Sequence, residues 1–471
     1  MTAILPRTTA PRQLMLLEWD GATLEALSML ADGGVMPNLD ALLRSSARMR
    51  LRWTGLGSPA SAWATLRSGR GAECHGIWDN SYLDHRRGWV RPVDPAAAPC
   101  PFLPELLLAQ DTEAHCVLLS DGAAGTRVWS RKPASQEELA DRIRQSREIL
   151  DRMVEQVRRA AASSWRLLEI RMCTAAALQH RIWHLVGADP EIGGTSPWTP
   201  TAQQAFRDLD RMLGELAEIA DRQGAAFALT SPYGFVRSRE KITLAELLRR
   251  RELFEVATGL ARMGHRARRS IWRSVRPWIA RDGRRTTPGI YYPVRALLPV
   301  DWRRSRAVAL HGDHAALIYL NTPDRFGSRV LATERAREQA LEDVLAALRE
   351  ARHPVSGEPL LVDVFSTTVR YGCDPLERAW PDVIGLPAPG FQTRHRPDHK
   401  RHVLRLDSSL AATQGGDGLL LVHGAGIEPG EKPTAGLTDV APLLTELLVG
   451  ESAVPAIQRM RKPAHSSALL G

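Results

Sequence analysis

Cysteine is scarce: five stand among 471 residues (Cys74, Cys100, Cys116, Cys173 and Cys373), an odd number, far apart and without a CxxC pair. That speaks against a disulfide framework and a cysteine zinc site, and it points to a reducing cytoplasm. Long apolar runs are missing too. No window approaches the roughly 18 uninterrupted apolar residues of a membrane span, and the run Leu14 to Leu17 is met at once by Glu18 and Asp20, so neither a span nor a secretory signal is expected. No stretch is biased enough for disorder, collagen or a coiled coil. Acidic residues are in deficit, 53 against 62 Lys and Arg, for a formal charge of +9 carried mainly by arginine. Arginine's fork suits phosphate, sulfate or carboxylate, which favours an acidic partner without naming one. With hydrophobic residues at 44%, the chain can bury a large core.

Gln13 to Trp19 reads as a buried strand ending in Asp20-Gly21, followed by helical patterns through Leu24, Leu27 and Leu30 and through Leu39, Leu42 and Leu43. Strand candidates recur at Ala114 to Leu119, Trp165 to Met172, Ala225 to Thr230, Ala315 to Leu320 and Gly418 to Val422, with helices Gln136 to Ala160 and Thr201 to Arg222 between them. The alternation predicts an α/β fold: a mainly parallel sheet with helices on both faces and its chemistry at the carboxyl ends of strands. The expected organisation is an extension (1–12), a core (13–260), an Arg/Trp-rich insertion (261–287), a continuation of the core (288–324), a small inserted α/β subdomain (325–378), the last part of the core (379–455) and a tail (456–471). Leu244 to Leu260 reads as helical. The insertion carries nine arginines from Arg262 to Arg285, with Trp272 and Trp278 among them. A solvated basic helix is the plain reading, and a contact for phosphates, a membrane surface or a protein partner the sharper one. No nucleic-acid-binding motif accompanies it.

The opening LEWDGAT, then VMPNLDALL, AWATLRSGRGAECHGIWDN, ALQHRIWH, LDRMLGEL, TSPYGF, VDWRRSRA, IYLN, AWPDVIGL and LTDVAPLLTELLVG occur in this order from about Leu14 to Gly450. Together they resemble the alkaline phosphatase superfamily, in its type I phosphodiesterase and nucleotide pyrophosphatase branch. The resemblance implies an alkaline-phosphatase-like fold. It also implies two divalent cations, zinc or manganese, beside a Ser or Thr nucleophile, because two cations about 3.5 to 4 Å apart clamp the attacking and leaving oxygens of an in-line displacement.

Matched residue by residue, this chain departs from that pattern. Asp20 stands at the first aspartate ligand and His180 at the histidine of a ligand pair. The aspartate expected four residues before His180 is Ala176, the paired Asp and His of an S-D-H-G segment are Pro232 and Tyr233, the last histidine falls on Gln414, and the nucleophile falls on Pro59 between Ser58 and Ser61. Ala, Pro, Tyr and Gln do not replace carboxylate or imidazole on zinc or manganese. Loss of bimetallic hydrolysis is therefore the expectation, with no cofactor.

Each remaining candidate has two readings. Asp20 is a leftover ligand or ordinary strand-end turn chemistry. His180 is an acid or base near neutral pH, or pairs with His184 at i+4 on a metal. Tyr233 donates a hydrogen bond into the old cavity or packs to fill it, Gln414 orients a substrate, and Ser58 and Ser61 are nucleophiles or helix caps. Trp63 and Trp183 are carried as substrate-binding side chains. His311, Asp313 and His314, or the loop with His395, Asp398, His399 and His402, offer ligands for a relocated zinc or manganese site. The leading expectation is a cavity that binds, and transforms by metal-free acid/base chemistry, an anionic or polar small molecule. The alternatives are a divergent phosphodiesterase, phosphatase or sulfatase with a relocated site, and a non-catalytic interaction protein.

Overall fold

A computed structural model describes residues 13–449 except 23, 54–57, 95–97, 123, 187–195, 260–262, 266, 269, 272–273, 275–291, 295–297, 311, 313, 373–378, 398–399 and 407–410. The 1–12 extension, the 456–471 tail and most of the Arg/Trp-rich insertion lie outside the described residues. The architecture rests on strands β1 (Leu14–Trp19), β2 (Ala47–Arg52), β3 (Cys116–Ser120), β4 (Leu167–Met172), β5 (Ala226–Arg237), β6 (Ala307–Ala309), β7 (Ala316–Leu320), β8 (Leu361–Ser366), β9 (Val383–Pro387) and β10 (Ala412–His423). Its main helices are α1 (Leu24–Asp32), α2 (Pro37–Ser45), α3 (Pro59–Ser68), α4 (Gln136–Ala161), α5 (Cys173–Ile182), α6 (Thr199–Arg222), α7 (Leu244–Arg249), α8 (Glu334–Arg349) and α9 (Leu437–Val449).

Every residue of β1 is buried, the signature of a strand covered on both faces. It lies inside an eight-stranded sheet whose order is Gly430–Glu431, β2, β10, β5, β1, β4, β3, with Ala435–Gly436 also on β2. The β5, β1, β4 and β3 strands run parallel, with Leu14 opposite both Leu167 and Ala226, and β10 runs antiparallel to both β5 and β2. On one face Met15, Leu17 and Trp19 pack with side chains of α2, α4, α5 and α6. On the other, Leu14 and Leu16 pack with α3 and α9. Both core helices expected from periodicity are present: α4 is capped by Ser135, whose hydroxyl accepts the Glu138 N–H, and buries Leu139, Ile143, Leu150, Met153 and Val157 along one stripe.

A second lobe has its own core, in which Leu317, Ile318, Val344, Leu348 and Val383 meet. Its sheet is antiparallel, in the order β6, β7, β9, β8. The 288–324 stretch supplies β6 and β7 to this sheet, while the 379–455 stretch supplies β9 to it and β10 to the central one. The Leu244 to Leu260 helix stops at Arg249, and Glu252 takes a left-handed φ of 56°.

Two strands run longer than their sequence suggests. Both β5 and β10 have 12 residues, because Ser231-Pro232-Tyr233-Gly234, which reads as a turn, stays in the ladder. The ladder tolerates Pro232 because its register shifts between Gly415 and Asp417, and an irregularity is where a strand accepts a residue without an N–H. Gly418 faces this irregularity, and a Cβ there would lie 2.1 Å from the Ser231 carbonyl oxygen.

Candidate functional site

The carboxyl end of β1 turns at Asp20-Gly21. The Gly21 φ of +84° is a left-handed conformation suited to glycine. The Gly21 N–H donates to Ser231 Oγ at 3.0 Å, and that hydroxyl donates to the Tyr233 carbonyl at 2.6 Å, tying the turn to β5. From α5, Gln179 Nε2 donates to the Asp20 carbonyl at 3.1 Å.

The Asp20 side chain points to the α3 face. Burial pushes its carboxyl up to about 6, and the Tyr233 hydroxyl and Trp63 indole beside it pull it back. Neither Asp20 Oδ1 nor Tyr233 Oη closes a well-formed hydrogen bond, although both atoms are buried. Tyr233 is wholly buried, its hydroxyl is held well above 10 by burial and by Asp20, and its ring lies 6.1 Å from that of Trp53. Tyr233 therefore fills space in the α3-side core while its polar end meets the carboxylate.

At the start of α3, Ser58 is the N-cap. Its hydroxyl accepts the Ser61 N–H at 3.2 Å, Pro59 occupies the first turn, and Ser61 Oγ is buried without a partner. Ser58 thus serves as the helix cap. On the other side of Asp20, Asp121 caps α5 by accepting the N–H groups of Cys173 and Thr174 at 2.8 and 2.7 Å. Burial, then Asp121 and Asp20, push the Cys173 thiol up to about 12, so its position at a helix N-terminus does not make it a thiolate.

His180 belongs to a separate constellation. The Ala412 carbonyl can only accept, so Nδ1 carries the proton and donates to it at 2.8 Å, and Nε2 accepts from Gln414 Nε2 at 3.0 Å. Burial lowers this histidine to about 4, against a partial restoring effect of the Ala412 carbonyl. Both nitrogens of a neutral imidazole are thus spent on the protein, which leaves no lone pair for a metal and no proton to exchange near neutral pH.

Phe235, two residues beyond Tyr233, stands between the two constellations. Its ring meets His180 edge-on at 4.6 Å between centroids. A Cβ placed on Gly21 would lie 1.9 Å from its Cε2. An apolar ring thus occupies the space between the Asp20 turn and His180. No group of three or more His, Cys, Asp or Glu side chains that could hold a metal stands together among the described residues. The donor set and its packing do not fit a two-metal centre.

Several expected site residues fall elsewhere. Trp183 is 5% exposed and packs in the core against Phe206 at 6.4 Å, so it does not line the site. His184 sits in the short 3-10 turn after α5, lowered by burial and by Lys132. Gln414 joins His180 rather than Asp20. His311, Asp313, Asp398 and His399 lie outside the described residues.

One feature beneath the site went unpredicted. Glu18 and Glu169, 4% and 1% exposed, share Arg67 of α3 at 2.8 Å each, and Arg171 reaches Glu18 at 3.1 Å. Burial raises Glu18 to about 7, with the two arginines opposing and Glu169 adding to the shift. Two lone acids in the apolar runs LMLLEW and LLEIRM were the available signal.

No curated protein matches the chain. Among solved structures, phosphonoacetate hydrolase from Sinorhizobium meliloti 1021, in complex with phosphonoacetate, superimposes with a TM-score of 0.51 at 14% identity over 96% of this chain and 100% of its own. Murine ectonucleotide pyrophosphatase/phosphodiesterase 5 does so with a TM-score of 0.51 at 14% identity, over 93% and 95%. At that identity the likeness establishes the alkaline-phosphatase-like fold alone. A family model for type I phosphodiesterase/nucleotide pyrophosphatase matches residues 14–407, and with that match, over most of its length, the chain belongs to this family.

Proposed function

We propose that this chain is a divergent member of its family in which bimetallic phosphoryl hydrolysis has been lost, and that the site around Asp20 now binds a small polar molecule. The observation that carries this reading is the Phe235 ring between the Asp20 turn and a doubly hydrogen-bonded His180. The buried Ser61 Oγ, which has no hydrogen-bond partner, supports binding, since such a group asks for a water or ligand. Metal-free acid/base chemistry draws no support from His180 at about 4 or from Tyr233 well above 10. The free thiols Cys116 and Cys173 support a reducing compartment such as the cytoplasm. No helix of the described residues is long and apolar enough to cross a membrane.

The test is hydrolysis of bis(p-nitrophenyl) phosphate by the purified protein offered zinc or manganese, with and without a chelator. The proposal expects the rate of the protein-free control under every condition. A chelator-sensitive rate above that control contradicts it.

A further inference from the structure

The central sheet ends at β3, which pairs with β4 on one side and with no described strand on the other. The His115 carbonyl accepts the Arg166 N–H at 2.7 Å, and the Asp121 N–H donates to the Arg171 carbonyl at 3.4 Å, so the odd-numbered residues of this segment turn their backbone groups inward. By alternation Cys116, Leu118 and Ser120 turn N–H and C=O outward, along the open edge. The strand reads CVLLS, without charge, proline or bulge, and Leu118 is 50% exposed. Other edges are blunted. The far edge of the central sheet is the short Gly430–Glu431, the β8 edge of the second sheet is bulged between Leu361 and Asp363 and carries the Asp363–Arg370 ion pair, and the β6 edge has three residues. Charge, bulges and brevity keep an edge from pairing, and β3 uses none of them.

We infer that β3 is a dimerisation edge: it pairs antiparallel with β3 of a second copy about a two-fold axis at Leu118, so that the central sheet runs on from one copy into the other. The residues of the edge select this occupant, because they complement themselves, as an isologous interface requires. In that register Cys116 stands opposite Ser120 of the other copy and Leu118 opposite its own counterpart. All three outward residues then form hydrogen-bonded pairs, and no outward N–H or C=O between 116 and 120 is left over. A shift of two residues leaves such groups unpaired at both ends. The half-exposed Leu118 side chain is covered by its counterpart, and no like charges meet within the strand. Beyond it His115 of one copy stands opposite Asp121 of the other, imidazole against carboxylate. His115 is exposed and uses Nδ1 on the Ser164 carbonyl at 2.6 Å, which leaves Nε2 for this contact. Asp121 accepts the N–H groups of Cys173 and Thr174 and keeps lone pairs to spare. A foreign strand would take the same backbone bonds without calling on Leu118, His115 or Asp121, whereas self-pairing uses all three. The inference stands apart from the reading of the Asp20 site.

Sedimentation velocity of the full chain over a wide concentration range tests it, using wild type, Leu118→Lys and Leu118→Cys, each checked for folding by circular dichroism. Wild type is expected to sediment as a dimer that dissociates on dilution. Leu118→Lys sets two ammonium groups opposite each other in place of two leucines, and it should raise the dimer dissociation constant at least about tenfold. Leu118→Cys keeps the strand uncharged and serves if Leu118→Lys does not fold. A short bismaleimide should join its substituted position to the same position of the second copy, as peptide mass spectrometry would show, since hydrogen-bonded opposites lie about 5.5 Å apart at Cα. A monomer at every concentration overturns the inference. So does a dimer as tight in Leu118→Lys as in wild type, or one in which Leu118→Cys is never joined to its own counterpart, because the contact then lies on another surface.

Discussion

A double-mutant cycle on Gly21 and Phe235 reads directly how the ring is wedged. Gly21→Ala introduces two costs. A non-glycine residue at φ +84° costs roughly 1–2 kcal/mol, and a Cβ lying 1.9 Å from Phe235 Cε2 forces repacking worth roughly 1–3 kcal/mol. Phe235→Ala removes a ring that is 5% exposed, for roughly 3–5 kcal/mol. In the double mutant the collision vanishes while the backbone strain persists. The cycle should therefore show a favourable coupling of roughly 1–3 kcal/mol, measured by urea denaturation of the four proteins. The same Phe235→Ala variant should still fail to retain zinc, because Ala412 and Gln414 keep hold of His180. Additivity within about 0.5 kcal/mol would refute the wedge, and tight zinc retention once the ring is gone would refute the account of His180 as engaged on both nitrogens.

Other expectations follow from the buried ionisable groups. His75 accepts the Ile77 N–H on Nδ1 and pairs with Thr65 through Nε2, and burial lowers it to about 3 from 6.5. Between those values the unfolded chain binds the extra proton, so stability should fall by a few kcal/mol, about, as pH drops from 6.5 towards 3. A urea series across pH should show this slope flattened in His75→Gln, and an unchanged slope would assign it elsewhere. Arg67→Met leaves two buried carboxylates short of a cation, a loss of roughly 3–5 kcal/mol. Because Glu18 titrates near 7, the loss should be larger at pH 8, where Glu18 is ionised, than at pH 5, where it is protonated. Equal losses at both would contradict the charge account. Cys173, held near 12, should react with iodoacetamide at pH 7.5 at least about a hundredfold more slowly than a free thiol, as peptide mass spectrometry would follow.

Where periodicity and capping act locally, the sequence was legible. Ser135 and the stripe from Leu139 to Val157 mark α4 within a residue, and the apolar run Leu14 to Leu17 marks β1 as a buried strand. Long-range pairing was not. Pro232 and the glycines at 415, 416 and 418 look like turns until β5 and β10 are laid side by side and the bulge absorbs them. For the same reason β7, though recognisable as a strand, could not be allotted to the second sheet. Phe235 sat in plain view within TSPYGF, yet its place between Gly21 and His180 depends on three elements meeting. Trp183 was misassigned because a tryptophan beside a candidate ligand on a helix reads as site-lining until the packing of α6 against it is known.

Metal content tests the central claim most directly. Protein purified without chelator, equilibrated with zinc and with manganese and then dialysed, is measured by elemental mass spectrometry against protein concentration. The account predicts no cation retained above the dialysis buffer. Retention of about two per chain, the complement of a two-metal hydrolase, would contradict it.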